Sequence, residues 1–496
     1  MPKKSFYFIL TGLLISFFLT GLFTRLTAFD QQDVYDPHKK IPVEQLKEDF
    51  KILRLALEEG HGGLYRYTSK EEMDKYFDTF YASLNQPLAE IEFYQKLLPL
   101  IAAVNDGHTR ISMSSPYRKY LEKHPNIIPF KFVFFNEKPY LFRNYSEHLN
   151  LSLGQEVISI NETPADEILE ALLKVIPSDA HIQTSKFRKL ENPALFSDLY
   201  TILFGLTTSF QIVLNSDKKT DQKTIQVPGT ANDMLMDIAK KRYPNDYLSS
   251  PPISLEYRDS IPILTIKTFG EGSYKRSKIS YPDFLKNTFF ELSTNKSENL
   301  IIDLRDNGGG SDEYGKILTA YLLDKPFLYY RYLETKNTQF SFLDYTNIPP
   351  NRRTMPPESF RKNERGWYDA LGHPNLGEQN PLKPVFKGRV FILINGGSFS
   401  ATGECTSIIH YHKRAVFVGE ECGAGYYGNT SGFMPIVTLP NTGIRINIPL
   451  IRYTMAVDNY PPDRGIIPDY LVKPSIEDLL KGRDSVLEFT LELIKK

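Results

Sequence analysis

The residues with the most evident chemical potential lie in a turn of small side chains late in the chain. The apolar run Val390–Ile394 leads into Asn395-Gly-Gly-Ser-Phe-Ser-Ala-Thr-Gly-Glu404, which presents Ser398 and Ser400. A serine at a strand-to-helix junction faces free backbone N–H groups and the positive end of the helix dipole, and both favour negative charge. The turn therefore predicts a nucleophilic serine, although a serine that only caps the helix has the same pattern.

A second glycine-rich turn follows another apolar strand. Asn299–Ile302 leads into Asp303-Leu-Arg-Asp-Asn-Gly-Gly-Gly310, which can supply backbone N–H groups. Such groups, aimed at the oxygen of a tetrahedral intermediate, form an oxyanion hole. Together with a nucleophilic serine, this turn indicates acyl transfer and, in particular, peptide hydrolysis.

His108 is a candidate for the base that a serine nucleophile requires. It follows the turn signal in Val104-Asn-Asp-Gly-His-Thr109 and is one of 9 histidines, so its position alone does not assign a role. A serine hydroxyl is a poor nucleophile at neutral pH unless a neighbouring group takes its proton. An imidazole, with an ordinary pKa of about 6.5, suits that transfer.

Other classes of site fit these motifs less well. Position 400 is Ser where the Gly-x-Ser-x-Gly pattern requires Gly, which argues against an ordinary lipase or esterase. The glycine-rich turn lacks Gly-x-Gly-x-x-Gly and a following Lys-Ser/Thr, which argues against a phosphate site. His410 and His412 lack a third ligand at recognisable spacing, so structural or surface histidines are favoured over zinc. We predict neither a cofactor nor a metal.

Hydrophobic periodicity indicates the elements that must position these residues. Apolar residues at spacings of three and four predict helices from Pro42 to about Ala103. After Ala231, strands and helices alternate to the end of the chain, which favours a sheet layered by helices. The predicted helices there are Tyr281–Leu292, Glu313–Leu323 and Gly403–His410. The segment Tyr330–Leu382, rich in Asn, Pro, Arg and Tyr, predicts a long insertion or lid.

Between these parts, short β-like runs replace the helices from Ile127 to about Pro228. The predicted strands are Phe130–Phe135, Val157–Ile160 and Phe210–Leu214. The passage Leu153-Gly-Gln-Glu-Val-Ile-Ser-Ile-Asn161, with a predicted helix from Ala165 to Leu173, resembles part of a PDZ domain. Without a clear carboxylate-binding loop, a PDZ-like module and a generic α+β domain both remain open.

Composition and length bound the class of protein. At 496 residues with 41% hydrophobic residues, the chain is predicted to form two or three globular domains. Lys plus Arg equals Asp plus Glu at 59 each, which removes a general electrostatic case for nucleic acid as a partner. Cys405 and Cys422 are too few for a disulfide framework and are interpreted as buried apolar side chains.

The N-terminus predicts export. Lys3 and Lys4 precede an uncharged, mostly apolar run from Phe6 to Phe23, which is typical of a secretion signal or a signal anchor. Leu26 is large for a cut after Ala28, so both forms remain open. We therefore predict a signal peptide or N-terminal membrane anchor at residues 1–28 and an extracytoplasmic protein. It would be periplasmic, secreted, or tethered through residues 6–23.

Five motifs, taken together, resemble the tail-specific, or carboxyl-terminal processing, serine peptidases and especially their tricorn-like branch. In order they are Asp106-Gly-His-Thr109, Leu300-Ile-Ile-Asp-Leu-Arg-Asp-Asn-Gly-Gly-Gly310, Asn395-Gly-Gly-Ser-Phe-Ser-Ala401, Val418-Gly-Glu420 and Gly465-Ile-Ile-Pro-Asp469. The resemblance implies an α/β fold class with a crotonase-like ββα-spiral core at residues 231–496, carrying the insertion at 330–382. A helical domain at residues 29–125 would carry the Asp-Gly-His-Thr turn, and a PDZ-like or α+β module would occupy residues 126–230.

The resemblance also implies roles for the two turns. Ser400, directly before Ala401, would be the nucleophile instead of Ser398. The oxyanion hole would be formed by the N–H of Ala401 together with that of Gly308 or Gly309.

The resemblance also implies a base and an acidic partner, and here the chain differs from part of the family. Many relatives pair the serine with a downstream lysine, but this chain has none between Lys413 and Lys473. The tricorn-like branch uses the histidine of the Asp-Gly-His-Thr turn, which here is His108. An acid before the Gly-Ile-x-Pro-Asp motif would orient the imidazole, and Asp463 is the first choice for it, with Asp458 second.

The leading hypothesis is thus an exported serine endopeptidase that acts on a polypeptide or protein substrate. The alternative is a catalytically inactive member of the same fold that binds a peptide or an apolar ligand. A crotonase-type thioester enzyme is disfavoured because no adenine or phosphate site is visible. The sequence leaves the oligomeric state and the cleavage preference open.

Overall fold

The computed structural model describes residues 35–215, 222–247 and 250–496. The predicted signal or anchor at residues 1–28 lies outside the described residues. Among the residues that are described, no helix is both long enough and apolar enough to cross a membrane.

The described residues form a mixed α/β fold. Its α-helices are α1 Val43–Gly60, α2 Lys70–Ser83, α3 Glu90–Ala102, α4 Ser115–Glu122, α5 Ala165–Val175, α6 Thr184–Leu190, α7 Pro193–Phe204, α8 Asn232–Arg242, α9 Glu271–Ser277, α10 Tyr281–Thr294, α11 Asp312–Leu322, α12 Ala401–Tyr411, α13 Ile476–Lys481 and α14 Ser485–Lys495. Short 3₁₀ helices occur at Pro244–Tyr247, Ser341–Tyr345, Pro350–Arg352 and Pro357–Ser359.

The strands form several sheets. In chain order they are β1 Lys40–Ile41, β2 Leu88–Ala89, β3 Arg110–Ser112, β4 Phe130–Phe135, β5 Lys138–Asn144, β6 Val157–Ile160, β7 Thr163–Pro164, β8 Ser209–Asn215, β9 Gln222–Pro228, β10 Ile253–Arg258, β11 Ile261–Ile266, β12 Asn299–Asp303, β13 Phe327–Leu328, β14 Tyr330–Thr335, β15 Phe360–Lys362, β16 Tyr368–Ala370, β17 Glu378–Gln379, β18 Arg389–Ile394, β19 Val416–Gly419, β20 Thr430–Ser431, β21 Ile436–Thr438, β22 Arg445–Asn447, β23 Ile451–Met455 and β24 Tyr470–Leu471.

The central sheet has the strand order β10-β11-β12-β18-β19-β24. Only β10 runs antiparallel to its neighbour within this sheet, and β11 to β24 are parallel. β12 and β18 are adjacent, with Asp303 opposite Leu393. The glycine-rich turn and the serine turn follow these two strands directly, so both turns lie at the same edge of the sheet.

Both faces of the central sheet are buried, as expected for parallel strands. On one face Ile301, Leu393 and Val418 pack with Leu487 and Leu491 of α14. The alternate residues of the same strands, such as Ile302 and Ile392, belong to the main core. The continuous apolar composition of β12 and β18 is thereby explained, because neither face meets water.

A short sheet anchors the His108 turn to the C-terminal part of the chain. β3 begins two residues after His108 and pairs antiparallel with β22, with Ile111 opposite Ile446. β22 in turn pairs with β21. The turn that carries the histidine is therefore tied by main-chain hydrogen bonds to a segment beyond the serine.

The insertion at residues 330–382 is better ordered than the sequence indicated. Its first strand, β14, is central in a five-stranded sheet of order β15-β16-β14-β23-β20. Thr335 lies opposite Ile451, and the Leu333 side chain is buried. The expectation of a long irregular segment is therefore wrong for β14, which is part of the main fold.

The segment between residues 127 and 228 contains the three predicted strands and also two helices that were not predicted. α6 and α7 lie between β7 and β8. α7 begins at Pro193, and Asn192 caps it by accepting hydrogen bonds from the N–H groups of Ala194 and Leu195. The strands form the sheet β7-β6-β8-β9 beside the hairpin β4-β5.

Candidate active site

Ser400 lies at the junction between β18 and α12, one residue before the first helical residue. Its backbone has φ 58° and ψ −127°, a conformation that side chains other than glycine rarely adopt. A sharp turn of this kind lifts the side chain away from the helix and leaves it partly exposed. The local strain has to be held by the surrounding structure.

The rest of the serine turn provides that support. The Ser398 hydroxyl is fully buried, donates to Leu304 O at 2.8 Å and accepts from Asn395 N–H at 3.1 Å. Phe399 N–H donates to Asn307 O at 3.0 Å, which joins the serine turn to the glycine-rich turn. Of the two serines in the motif, Ser398 has a structural role and Ser400 has the free hydroxyl.

The structure brings His108 to Ser400. The distance from His108 Nε2 to Ser400 Oγ is 3.1 Å, although the residues are 292 positions apart. Asp106 Oδ1 accepts from the backbone N–H of His108 at 2.9 Å and from that of Thr109 at 2.8 Å, which fixes the turn. The imidazole also packs against Phe399, with 4.7 Å between ring centroids.

The environment favours the neutral form of the imidazole. Burial lowers the pKa of His108 below its ordinary value of 6.5, while Asp106 and Asp179 act in the opposite direction. Arg110 and Lys189 lower the pKa further. A neutral imidazole with Nε2 facing a serine hydroxyl is arranged to accept its proton.

The structure distinguishes the predicted oxyanion donors that are available from the one that is occupied. Gly309 N–H donates to Asn307 Oδ1 at 3.0 Å and is therefore occupied. The N–H groups of Gly308 and Ala401 have no acceptor among the described residues, and Gly308 is exposed. Gly308 and Ala401 are thus the available pair.

Gly309 is needed for a steric reason instead. Its φ is +91°, and a Cβ at this position would lie 2.7 Å from Ser400 Cβ and 2.9 Å from Ala401 N. Any side chain here would collide with the nucleophile turn.

Asp463 does not lie beside the imidazole of His108, where the sequence analysis placed it. Its side chain is exposed, and its backbone carbonyl accepts from His181 N–H at 3.5 Å. Asp458 forms an ion pair with Arg331 at 2.7 Å, also at the surface. Neither carboxylate is buried against the imidazole, because the loop that carries them runs over the outside of the molecule.

Two acidic residues that the sequence analysis missed lie near the site. Asp179 is buried, and the carboxylates of Asp106 and Asp179 lie within 4.8 Å of each other and of a ring nitrogen of His108. Glu404, on the first turn of α12, is buried; its Oε2 lies 2.6 Å from Tyr330 OH, and its Oε1 accepts from Asn429 Nδ2 at 2.7 Å. No motif marks Asp179, whereas Glu404 stood inside the serine motif and was treated only as its end.

A cleft of about 660 Å³ adjoins the serine turn. Gly396, Gly397 and Phe399 line one side of the cleft. Lys131, Val133, Phe142, Arg188 and Lys189 also line it. The cleft thus lies between the central core and the segment that contains β4, β5 and α6.

Comparison with known proteins is consistent with this geometry. Residues 260–472, which hold both turns at the sheet edge, match the model of peptidase family S41. The chain carries an S41 peptidase domain. It is therefore a serine-type peptidase, as the five motifs indicated. The serine of this domain contacts a histidine, His108, that lies outside residues 260–472, whereas many relatives in the resemblance described above have a lysine beside the serine.

Solved structures show that the similarity of fold extends beyond the S41 domain. Mature CPAF is 16% identical over 91% of this chain and 97% of that chain, with a TM-score of 0.59. CPAF complexed with lactacystin gives 15% identity, the same coverage and a TM-score of 0.60.

Proposed function

We propose that the protein is an exported endopeptidase that cleaves polypeptides through an acyl-enzyme on Ser400, with His108 as general base and then general acid. The observation that carries this proposal is the 3.1 Å contact between His108 Nε2 and Ser400 Oγ at a strained strand-to-helix turn. A histidine so placed supplies the base that the missing lysine would provide in other relatives.

The first half of the reaction forms the acyl-enzyme. Ser400 Oγ attacks the scissile carbonyl carbon while His108 Nε2 takes the hydroxyl proton. The carbonyl oxygen becomes an oxyanion that accepts hydrogen bonds from the N–H groups of Ala401 and Gly308. His108 then gives its proton to the leaving amine, and the peptide bond breaks.

The second half releases the product. A water molecule gives a proton to His108 and attacks the acyl carbon, and the proton returns to Ser400 Oγ as the ester bond breaks. The positive end of the α12 dipole stabilises both tetrahedral intermediates, because Ser400 directly precedes that helix.

The cleft beside Phe399 is the proposed binding site for the substrate chain. It opens next to the nucleophile and combines apolar side chains with Lys131 and Lys189. Arg188 also lines it, paired with Glu191 and Asp306 of the same cleft. Burial lowers the pKa of Lys189 to about 8, and its Nζ lies 5.9 Å from the Phe399 ring centroid. An extended polypeptide fits such a cleft, whose walls come from two parts of the chain.

Export is proposed on the sequence of the N-terminus. The charged Lys3 and Lys4 and the apolar run from Phe6 to Phe23 are the support for it. The helical domain at residues 29–125, the PDZ-like module at 126–230, the ββα-spiral core and the tricorn-like branch likewise stay predictions.

Labelling with a biotinylated fluorophosphonate tests the mechanism. We expect intact-mass analysis of the full chain to show one adduct, and Ser400→Ala to show none. His108→Ala is expected to slow labelling on the order of 10²-fold or more. Ser293→Ala, at an exposed position of α10, serves as the control and should retain the adduct.

An adduct on Ser400→Ala, or equal labelling rates for wild type and His108→Ala, would contradict the proposal. The alternative of an inactive binding protein predicts no adduct and no cleavage of a mixed peptide library. The contact between Ser400 and His108 supports the peptidase over that alternative.

A further inference from the structure

We propose that Asp179, which reaches the site from the segment between α5 and α6, is the carboxylate that positions His108 and stabilises its protonated form. The inference rests on the proposed function of Ser400 and His108. It replaces Asp463, whose side chain is exposed.

Asp179 is built into the histidine turn. Its side chain is only 2% exposed, and Oδ1 accepts from the backbone N–H of Gly107 at 2.8 Å. Gly107 is the residue directly before the histidine, and a Cβ there would lie 3.1 Å from Asp179 Oδ1. Ala180 N–H also donates to Asn105 O at 3.1 Å, so consecutive residues of this segment are bonded to the turn.

The carboxylate also faces the opposite wall of the site. Asp179 Oδ2 accepts from Gly425 N–H at 3.1 Å, in the segment where other relatives carry the lysine. Asp179 therefore bridges the histidine turn and the C-terminal core. Its position is fixed by main-chain groups on both sides, which is what an orienting residue requires.

His108 has one ring nitrogen to offer to such a partner. Nε2 faces Ser400, while Nδ1 is buried and has no hydrogen-bond partner among the described residues. A ring nitrogen lies within 4.8 Å of the Asp179 carboxylate, a separation that one bridging water or a small side-chain rotation closes. Buried N–H groups nearly always have a hydrogen-bond partner, and we expect the same of Nδ1.

Asp106 is the competing partner, and its oxygens are already in use. It accepts from His108 N, Thr109 N and Thr109 Oγ1 through Oδ1, and from the Thr430 hydroxyl through Oδ2. A carboxylate offers about four lone pairs, and with three bonds on Oδ1 and one on Oδ2 Asp106 uses most of this capacity to hold the turn. Asp179 accepts two hydrogen bonds and retains the rest.

Tyr67 completes the surroundings of Asp179. Its hydroxyl is buried without a partner among the described residues. A Cβ on Gly425 would lie 2.4 Å from that hydroxyl, so Tyr67 OH stands beside the glycine that donates to Asp179. Two unpaired polar groups, Tyr67 OH and His108 Nδ1, thus lie near the same carboxylate.

The charges around His108 give the role of Asp179 a measurable sign. Asp106 and Asp179 favour the protonated imidazole, whereas Arg110, Lys189 and the nearby His61 disfavour it. Without the Asp179 carboxylate, the nearby positive charges disfavour the protonated imidazole more strongly, so the pKa of His108 falls. A weaker base also takes the Ser400 proton less readily, so the maximal rate falls at the same time.

The test is the pH dependence of fluorophosphonate labelling in the full chain with Asp179→Asn. We expect the maximal labelling rate to fall on the order of 10²-fold and the acidic limb of the profile to move to lower pH. A residue that only supports the fold would lower the amount of active protein without moving the limb. Asp166→Asn, at the exposed start of α5, is the matched control.

Tyr67→Phe is the second variant and removes one hydroxyl beside Asp179. We expect a severalfold lower labelling rate with an unchanged thermal midpoint. An unchanged profile in Asp179→Asn, or in Tyr67→Phe if that is the only variant that folds, would overturn the inference. So would a loss caused by Asp463→Asn and not by Asp179→Asn.

The two proposals fail differently. If the wild type forms no adduct on Ser400, the proposed function fails and this inference with it. If the wild type is labelled and His108→Ala is impaired while Asp179→Asn is not, only the assignment of Asp179 is wrong.

Discussion

At the scale of residues, the site depends on backbone positions as much as on side chains. Ser400 is held in a positive-φ conformation, and Gly309 passes so close to it that a Cβ would stand 2.7 Å from Ser400 Cβ. The N–H of Gly309 is used by Asn307 Oδ1, which leaves that of Gly308 to the reaction. The two glycines therefore have different tasks.

Gly309→Ala tests the steric task. The substitution forces a side chain into a left-handed conformation, at a cost of about 1–2 kcal/mol, and pushes against Ser400. We expect the Ser400 labelling rate to fall at least about tenfold, on the scale of 1.4 kcal/mol per factor of ten. The measurement is the rate constant of fluorophosphonate labelling.

Gly272→Ala is the control for that substitution. Gly272 lies in α9, where a Cβ would meet only the end of the Arg276 side chain at 3.4 Å. Equal labelling rates for Gly309→Ala and Gly272→Ala would show that the close approach does not matter.

The pH profile tests the state of His108. Burial lowers its pKa below 6.5, against the opposing effect of Asp106 and Asp179. A general base acts in its neutral form, so activity rises with pH through this pKa and reaches its plateau by neutrality. We expect kcat/KM for peptide cleavage to be half-maximal below pH ~6.5. A half-maximal value above about pH 7 would contradict the burial argument.

The residues that sequence could predict are those inside short motifs. Ser400, His108 and Ala401 stand at fixed places in Asn395-Gly-Gly-Ser-Phe-Ser-Ala401 and Asp106-Gly-His-Thr109, so their resemblance could be read directly. Asp179 stands in no motif, because its role depends on how a distant segment packs on the turn. Asp463 was chosen by its place along the chain, but its side chain is exposed.

At the scale of elements, α12 and β14 are joined through a buried acidic cluster. Tyr330 OH lies 2.6 Å from Glu404 Oε2 and 2.9 Å from Asp312 Oδ2. A phenol has one proton to donate, so a protonated Glu404 that donates to Tyr330 OH leaves Tyr330 free to donate to Asp312. Burial raises the pKa of Glu404 to about 7, with a further contribution from Asp312.

Glu404→Gln tests this cluster. In the wild type the folded pKa lies above the unfolded one, so the folded protein holds an extra proton and loses stability as pH rises from about 4.5 to about 7. The loss amounts to about 3 kcal/mol when complete. A neutral glutamine avoids it and can still accept from Asn429 Nδ2 and donate to Tyr330. We expect a higher thermal midpoint than wild type at about pH 8 and little difference at about pH 5.

A difference between Glu404→Gln and wild type that is equal at the two pH values would refute the role of the proton. Glu313→Gln is a suitable control, because Glu313 pairs with Lys316 on the partly exposed side of α11.

The elements were predictable where the chain has a clear period. β4 and β6 coincide with the predicted strands, and α10, α11 and α12 begin and end within two residues of the predicted helices. α7 was missed because Pro193–Phe204 is apolar on nearly every side and shows no amphipathic stripe. β14 was missed because its polar residues suggested a loop, whereas pairing with β23 decides its structure.

At the scale of the whole molecule, the central sheet organises both the site and the stability. One face carries the helices behind the serine turn, and the other is covered by α14 at the end of the chain. The resemblance to CPAF over 91% of the chain shows that the fold as a whole, and not only residues 260–472, is shared. Sequence motifs located the catalytic core but gave no information on this covering helix.

Leu491→Ala tests the importance of that cover. Leu491 is 8% exposed and packs with Ile301, Leu393 and Val418 on the outer face of the sheet. Truncation leaves a cavity and is expected to lower the free energy of unfolding by about 2–4 kcal/mol. The labelling rate of Ser400 at 25 °C should stay within about twofold, because the fold remains intact.

Leu149→Ala is the control, since Leu149 is 72% exposed and should change stability by less than about 0.5 kcal/mol. Equal denaturation midpoints for the two variants would show that α14 contributes little to the core.

The pairing of β3 with β22 has a consequence during synthesis of the chain. His108 is fixed beside Ser400 by a strand that needs residues 445–447 as its neighbour. When the ribosome has made the serine turn, it has not yet made β22. At that stage the strand that holds His108 beside Ser400 has no partner. We therefore expect the proposed base to reach Ser400 only after β22 has been made.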